Sequence, residues 1–542
     1  MSAHQSRFPV KPTLLAILLA CSAQQALAAT CTWNTTNGNW AALGNWVACV
    51  AGSGNPAGTP GSVDTATVGA AGVVTINTGQ SVLNLNNNAG QITIDAFGLN
   101  LVGGGSTTNT GIINIGGAST ANLGVSASHN INNAGGVINV AAGSVVNQFG
   151  STITGGTINT TGGGALVAFN SGSNFISGVM LNGTLDLASG VGIERVTGGL
   201  TLNGTINVGS GSVLAPQGDQ TIGGSGNIVF ADNNGSNRLN VEAGNLTLAS
   251  GITVHGNTGL IGAQNFAGGA ASLTNNGNIA ADVAGGTITL GVNGTVTNNG
   301  TLAASNGGTL VLNNSIVGNV GSQITVGAGS TILQNGVTLN GVINNAGTGS
   351  FRASNSGSNF LNAANFTGDL DLASAVGVER VTGGLSLNGT INIGSGSVLA
   401  PQGDQTIGGS GNIVFADNNG SNRLNVEAGN LTLASGITVH GNTGLIGAQN
   451  FAGGAASLTN NGNIAADVAG GTITLGVNGT VTNNGTLAAS NGGTLVLNNS
   501  IVGNVGSQIT VGARQHHPAE RRHAQRRDQQ RRHRIVPGQQ QR

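Results

Sequence analysis

Along most of this chain, apolar and polar residues alternate in runs of four or five. In Gly286-Thr-Ile-Thr-Leu, Ile288 and Leu290 fall on one side, Thr287 and Thr289 on the other. A period of two predicts a strand with one buried and one open face. The runs return at a near-constant interval. Gly286-Thr-Ile-Thr-Leu is followed by Gly308-Thr-Leu-Val-Leu and Gly329-Ser-Thr-Ile-Leu, at spacings of 22 and 21 residues. Thr274-Asn-Asn-Gly returns as Thr297-Asn-Asn-Gly after 23, and Gly204-Thr-Ile-Asn-Val precedes Gly226-Asn-Ile-Val-Phe by 22. A unit this short cannot hold a helical hairpin and shows no helical periodicity. It fits one turn of a parallel β-helix, two or three short strands joined by corners.

The corner residues agree with that reading. Asn-Gly and Asn-Asn-Gly suit positive φ, which β-branched residues resist. Identical corners in successive coils are expected to stack their amides into ladders. At a coil spacing of ~4.8 Å, about twenty coils would form a solenoid on the order of 100 Å long.

A longer period lies over the short one. Residues 209–328 recur without a substitution as 394–513, an offset of 185. A diverged match extends upstream, where Leu-Asn-Gly-Thr-Leu-Asp-Leu-Ala-Ser (181–189) answers Phe-Thr-Gly-Asp-Leu-Asp-Leu-Ala-Ser (366–374). We assign 76–513 to the β-helix. Residues 29–75 hold all three Trp (Trp33, Trp40, Trp46) and two of the four Pro of the body, Pro56 and Pro60. They read as an N-terminal cap, because an uncovered solenoid end exposes core and strand edges.

Composition sharpens this picture. Gly accounts for 97 of 542 residues and charged residues for only 6%, yet the recurring Val, Ile and Leu separate the chain from a disordered linker. Residues 29–513 hold five Arg, no Lys and fifteen acids, a balance of 5 − 15 = −10. That leaves no electrostatic footprint for nucleic acid. Residues 1–28 read as a signal peptide: Arg7 and Lys11 precede an apolar run, and Ala26-Leu27-Ala28 offers a small-residue cleavage site. The alternative is a lipoprotein-type site at Leu18-Leu19-Ala20-Cys21. Export leaves Cys31 and Cys49 as candidates for a disulfide closing the cap, the alternative being two unpaired thiols.

Cys-Thr-Trp-Asn-Thr-Thr-Asn-Gly-Asn-Trp with Gly-Asn-Trp (31–46), Pro-Gly-Ser-Val-Asp-Thr-Ala-Thr-Val (60–68) and Thr-Val-Thr-Asn-Asn-Gly-Thr-Leu-Ala-Ala-Ser-Asn-Gly-Gly-Thr-Leu (295–310) carry a resemblance. Over most of 29–513 the chain resembles autotransporter-type and filamentous-haemagglutinin-like passengers. The resemblance implies a right-handed β-helix, secreted or held at the bacterial cell surface in association with the outer membrane. It also implies an outer-membrane translocator as export partner. The sequence contains no C-terminal barrel of the autotransporter kind. Asn55-Pro-Ala-Gly is a partial echo of the two-partner secretion signal Asn-Pro-Asn-Gly.

Chemistry-bearing residues are sparse. Asp186 with Glu194-Arg195, repeated as Asp371 with Glu379-Arg380, could form the carboxylate pair of a glycosidase. With no His, Tyr or Lys beside them, a solvated loop with a local ion pair is the preferred reading. Asp232-Asn-Asn-Gly-Ser-Asn with Glu242, repeated at Asp417 and Glu427, offers oxygen ligands for calcium, but its spacing is not that of an EF-hand and an Asx-rich turn fits better. His255 and His440 have no Cys or His partner at metal spacing and read as exposed loop residues. Sequons at Asn203, Asn245, Asn293 and Asn299 are expected by chance in so Asn-rich a chain. No catalytic, metal or cofactor-binding residue is assigned.

Residues 514–542 break the pattern. Codons GGC AGC ACC ATC CTG CAG AAC GGC encode Gly-Ser-Thr-Ile-Leu-Gln-Asn-Gly, the continuation found at 329–336. One added C gives CGG CAG CAC CAT CCT GCA GAA CGG, which reads Arg-Gln-His-His-Pro-Ala-Glu-Arg, residues 514–521. The same shift accounts for the rest of the segment. It is therefore expected to be a frameshifted, disordered tail, and the unshifted frame to encode further repeats. The functional expectation is a non-catalytic, extracellular structural or adhesive stalk, contacting a host cell or matrix surface or other bacterial cells. The alternatives are a polysaccharide lyase or hydrolase on the same scaffold and a passive spacer for a downstream domain.

Overall fold

The computed structural model describes residues 28–512, apart from 51, 55, 126–127, 263–269, 320, 346–347 and 448–454. The signal peptide proper, Cys21 and the tail lie outside the described residues. Contacts divide the chain into two units, Met1–Asp186 with Gly192–Glu194, and Leu187–Val191 with Arg195–Arg542. Both are parallel β-solenoids of short strands stacked coil on coil.

In the first unit each coil contributes to three parallel ladders. Along one, Ile92, Ile113, Ile138, Ile158 and Leu181 are successive register partners. A second runs Leu99, Ala121, Val146, Leu166, Leu185. The third runs Leu85, Thr107, Ile131, Ile153, Ile176. These side chains point inward and are buried. Each coil thus supplies apolar side chains from three directions to one continuous core, the dominant stabilising term at roughly 1.5–3 kcal/mol per fully buried aliphatic side chain. The second unit repeats the scheme, for example along Ile228, Val254, Ile279, Leu302 and Ile324. Its copy runs along Ile413, Val439, Ile464, Leu487 and Ile509. Ile288 and Leu290, placed on one face by the alternation, are both fully buried.

The expected amide ladders form at the corners. Asn87 Nδ2 donates to Asn109 Oδ1, and Asn109 Nδ2 to Asn133 Oδ1, at 2.7 Å each inside the core. Asn275 and Asn298 repeat the motif at 2.9 Å. Ladders also run along strand faces, which the sequence reading did not anticipate. Asn114, Asn139, Asn159 and Asn182 are linked at 2.8, 2.8 and 2.9 Å. Parallel in-register stacking places identical residues one coil apart, where an amide's donor meets the acceptor of the next.

The first coil is closed by the Trp-rich region. Thr30–Trp33 pairs antiparallel with Trp46–Val47 and parallel with Thr65–Val68, so the cap joins the coils through the same kind of ladder. Trp33 and Trp40 meet the Trp46 ring edge-on at 5.0 and 4.8 Å. Trp46 Nε1 donates to the Trp40 carbonyl at 2.7 Å. Cys31 and Cys49 are bonded, with Cα atoms 4.5 Å apart. Asp64, fully buried, accepts from the backbone N–H of Ala29, Ser53 and Gly61 at 2.7, 2.7 and 2.8 Å.

Phe230 shows why one glycine is needed. The buried ring lies over Gly259, where an added Cβ would sit 2.4 Å from the ring's Cδ1. The copy, Phe415 over Gly444, has the same fit at 2.3 Å.

Candidate functional site

The strands Ile193–Leu202 and Val378–Ile393 carry the strongest candidates. Alternation sends adjacent residues to opposite faces, so Glu194 points into the core and Arg195 outward. Glu194 and its equivalent Glu379 have no exposed surface. The expectation of a solvated loop with a local ion pair is therefore corrected: Glu194-Arg195 lies on a strand, and the two side chains have different partners.

Arg195 reaches Glu242, whose Oε2 and Oε1 accept from Nε and Nη2 at 3.0 and 3.3 Å. Arg380 and Glu427 reproduce both distances. The acid is 1% exposed, the guanidinium side chain 12–13%. This is the bidentate geometry that compensates a buried carboxylate best.

Glu194 meets an amide instead. Gln148 Nε2 donates to the Ser151 and Phe175 carbonyls at 2.7 and 3.3 Å and makes a long contact of 3.5 Å to Glu194 Oε1. Gln334 does the same with Val337, Phe360 and Glu379 at 2.9, 3.3 and 3.5 Å. Oε2 of each Glu and Oε1 of each Gln have no hydrogen-bond partner. Burial pushes the carboxyls of Glu194 and Glu379 well above the usual range, and the contact from Gln148 or Gln334 only partly opposes this. Burial thus favours the neutral form of two core carboxyls, which the sequence reading missed. The signal was present: Gln148 and Gln334 occupy inward positions of strands where the pattern calls for an aliphatic residue.

The carboxylate pair does not converge on a groove. In the second copy Asp371 accepts from Ser350 Oγ at 2.9 Å and from the backbone N–H of Ala373 and Ser374, with Arg352 at 3.6 Å, whereas Glu379 is sealed in the core. Burial disfavours charge on Asp371, but these donors outweigh it and hold its carboxyl below the usual range.

The acids considered for calcium serve different donors. Asp232 accepts from Asn237 Nδ2 and the Ser210 N–H at 2.7 Å each and from the Asn234 N–H at 3.1 Å, the geometry of an Asx turn. Desolvation works against its charge, but these hydrogen bonds prevail and lower its pKa. Glu242 is held by Arg195. Asp417 and Glu427 repeat the division. Among the described residues no group of three His, Cys, Asp or Glu side chains is placed to hold a metal.

His255 and His440 also differ from expectation. Both lie on strands, Thr253–Gly256 and Thr438–Gly441, rather than loops. Each faces a carboxylate in the next coil, His255 Nδ1 to Asp282 Oδ2 at 2.9 Å and His440 Nδ1 to Asp467 Oδ2 at 3.1 Å. His129, not singled out by sequence, is buried between Thr107 Oγ1 and the Val102 carbonyl at 3.0 and 2.8 Å. Burial lowers its pKa, against the Val102 hydrogen bond. Sequon side chains take part in the stacking: Asn245 accepts from Ser272 and Thr274, and Asn299 donates to Asn276. In the first unit a gap of about 20 Å³ lies inside the core, lined by side chains such as Leu85, Leu99, Ile113 and Val146.

No family model matches the chain, and no curated protein matches it. The class rests on the fold itself, a parallel β-solenoid built from tandem repeats.

Proposed function

We propose that this protein is an extracellular structural and adhesive stalk of a bacterial surface or secreted adhesin, acting without catalysis. The observation that carries the reading is the outward face of the solenoid. It is nearly free of charge and lined by rows of Thr and Asn such as Asn114, Asn139, Asn159 and Asn182, and in the second unit it is duplicated over 120 identical residues, 209–328 and 394–513. Such a surface makes weak polar contacts at regular intervals, and duplicated contacts add through effective concentration. The Cys31–Cys49 bond suits an oxidising compartment. The partners are a host cell or matrix surface or other bacterial cells, with an outer-membrane translocator for export.

The test compares the purified chain as single molecules and as a multivalent array on beads, over immobilised cells and matrix. Binding by the array, at least 10²-fold stronger than by single molecules, is expected on avidity grounds. Release of sugar from a polysaccharide panel by the purified chain would instead establish the hydrolase or lyase reading.

A further inference from the structure

Residues 65–185 contain two titratable side chains, Asp95 and His129. Asp95 is exposed and precedes the strand Gly98–Val102. His129 has no exposed surface. Its ring ties the two sides of a corner in the preceding coil. Nδ1 meets the Val102 carbonyl at 2.8 Å, and Nε2 meets Thr107 Oγ1 at 3.0 Å. A carbonyl only accepts, so Nδ1 carries the hydrogen and Nε2 accepts from the Thr107 hydroxyl. This neutral tautomer satisfies both ring nitrogens. The corner it ties, 103–105, joins Gly98–Val102 to Ser106–Asn109.

We propose that His129 is an acid-sensitive latch, whose protonation releases this corner and opens the coils around it. An imidazolium makes Nε2 a donor, so Thr107 must accept and its own proton loses its partner. The charge finds no counter-ion. The strands around the ring, Gly98–Val102, Ser106–Asn109, Thr120–Val125, Asn130–Asn132, Val145–Gln148 and Thr152–Thr154, hold no charged residue. Glu194 contacts Gln148, which bonds the Ser151 carbonyl one coil beyond His129, but burial disfavours the charge of that acid. Water does not replace the counter-ion, because the gap lined by Thr107 is about 20 Å³ and otherwise apolar. An unpaired buried charge is unfavourable, and burial lowers the His129 pKa against the Val102 hydrogen bond. Opening to water is therefore the route by which the proton binds. With the folded-state pKa below the ordinary 6.5, the closed latch is fully stabilising above pH 6.5 and loses strength as pH falls below it.

The experiment is hydrogen exchange of the full chain from pH 7.5 to 4.5, read by mass spectrometry and corrected for the intrinsic exchange rate. Local opening in 99–109 and 129–133 is expected to rise as pH falls below 6.5, approaching about tenfold per pH unit for one proton taken up. The strand Thr338–Asn344 lies in a stretch, 283–351, without a titratable side chain and is expected to show no such rise. His129→Gln keeps a donor and an acceptor but cannot take up a proton, and should flatten the rise. Thr107→Asp sets a carboxylate beside Nε2 and should abolish it by supplying the missing counter-charge. The wild-type comparison needs neither variant to fold. Opening in 99–109 and 129–133 that changes no more than in Thr338–Asn344 would overturn the proposal, since the closed corner would then hold the imidazolium. So would a rise that persists in His129→Gln.

Discussion

Replacing Glu194 and Glu379 by Gln is the sharpest test of the polar core. In each site Oε2 of the Glu and Oε1 of the facing Gln have no partner; a neutral acid has an O–H that can donate to such an acceptor, and ionisation removes that donor. An unmet buried acceptor costs about 1–3 kcal/mol. A Gln at 194 or 379 brings an NH₂ group that can donate to the facing amide, turning an acid–amide contact into a ladder like that of Asn87, Asn109 and Asn133. The expected gain is about 1–3 kcal/mol per site at neutral pH, where the wild-type core must either keep a proton or bury a charge.

The pH dependence follows from the direction of the shift. Both carboxyls are raised above the ordinary range because burial penalises the charged form. The folded state therefore holds these protons where the unfolded chain has released them. Stability from these groups is fully present below the ordinary carboxylate range and is lost as pH rises through it, until the folded-state pKa is passed. Within that window the loss is about 1.4 kcal/mol per pH unit for each group. The assay is chemical denaturation of the wild type and the two single variants from pH 4 to 8. Because solenoids open locally, it is paired with hydrogen exchange at 193–196 and 378–381. The variants should match the wild type or fall slightly below it at pH 4 and exceed it at pH 7, with a flatter profile between. Variants that track the wild-type profile, or are less stable at pH 7, would refute the buried neutral acid.

Three further outcomes follow from single contacts. Arg195→Ala leaves Glu242 buried and unpaired and should cost about 3–5 kcal/mol locally, whereas Arg195→Met with Glu242→Leu should be near neutral; denaturation monitored by exchange around 240–242 distinguishes them. Gly259→Ala drives a methyl group into the buried Phe230 ring and should cost about 1–3 kcal/mol, measured by the denaturation midpoint, with Gly444→Ala matching it in the copy. Reducing the Cys31–Cys49 bond, which closes a short loop of sequence separation 18, should lower stability by about 3 kcal/mol, with loss of exchange protection confined to the first coils.

The fold was legible because every level of the sequence says the same thing. The run Gly286-Thr-Ile-Thr-Leu specifies strand by alternation, face by polarity and stacking by its return at 308 and 329. A parallel coil needs only local strands and a constant interval, so periodicity carries both secondary structure and register. The corner ladders were legible for the same reason. Those on strand faces, such as Asn114 to Asn182, were not. An outward Asn in a single strand is only a polar residue, and becomes a ladder member only once register is fixed.

The polar chemistry was misread where neighbours in space are distant in sequence. Glu194-Arg195 looks like a local ion pair because the charges are adjacent, yet strand alternation forbids that pairing and sends each to a partner 46 or 47 residues away. His255 looked solitary because Asp282 lies 27 residues downstream, one coil along. These separations are one or two turns of the solenoid. In a coil of about 22 residues, partners should therefore be sought at whole turns from each inward or outward polar residue. Applied to Gln148, that rule reaches Glu194 two turns on; applied to Arg195, it reaches Glu242. The sequence held the information at its own coil period, and a search limited to adjacent residues could not recover it.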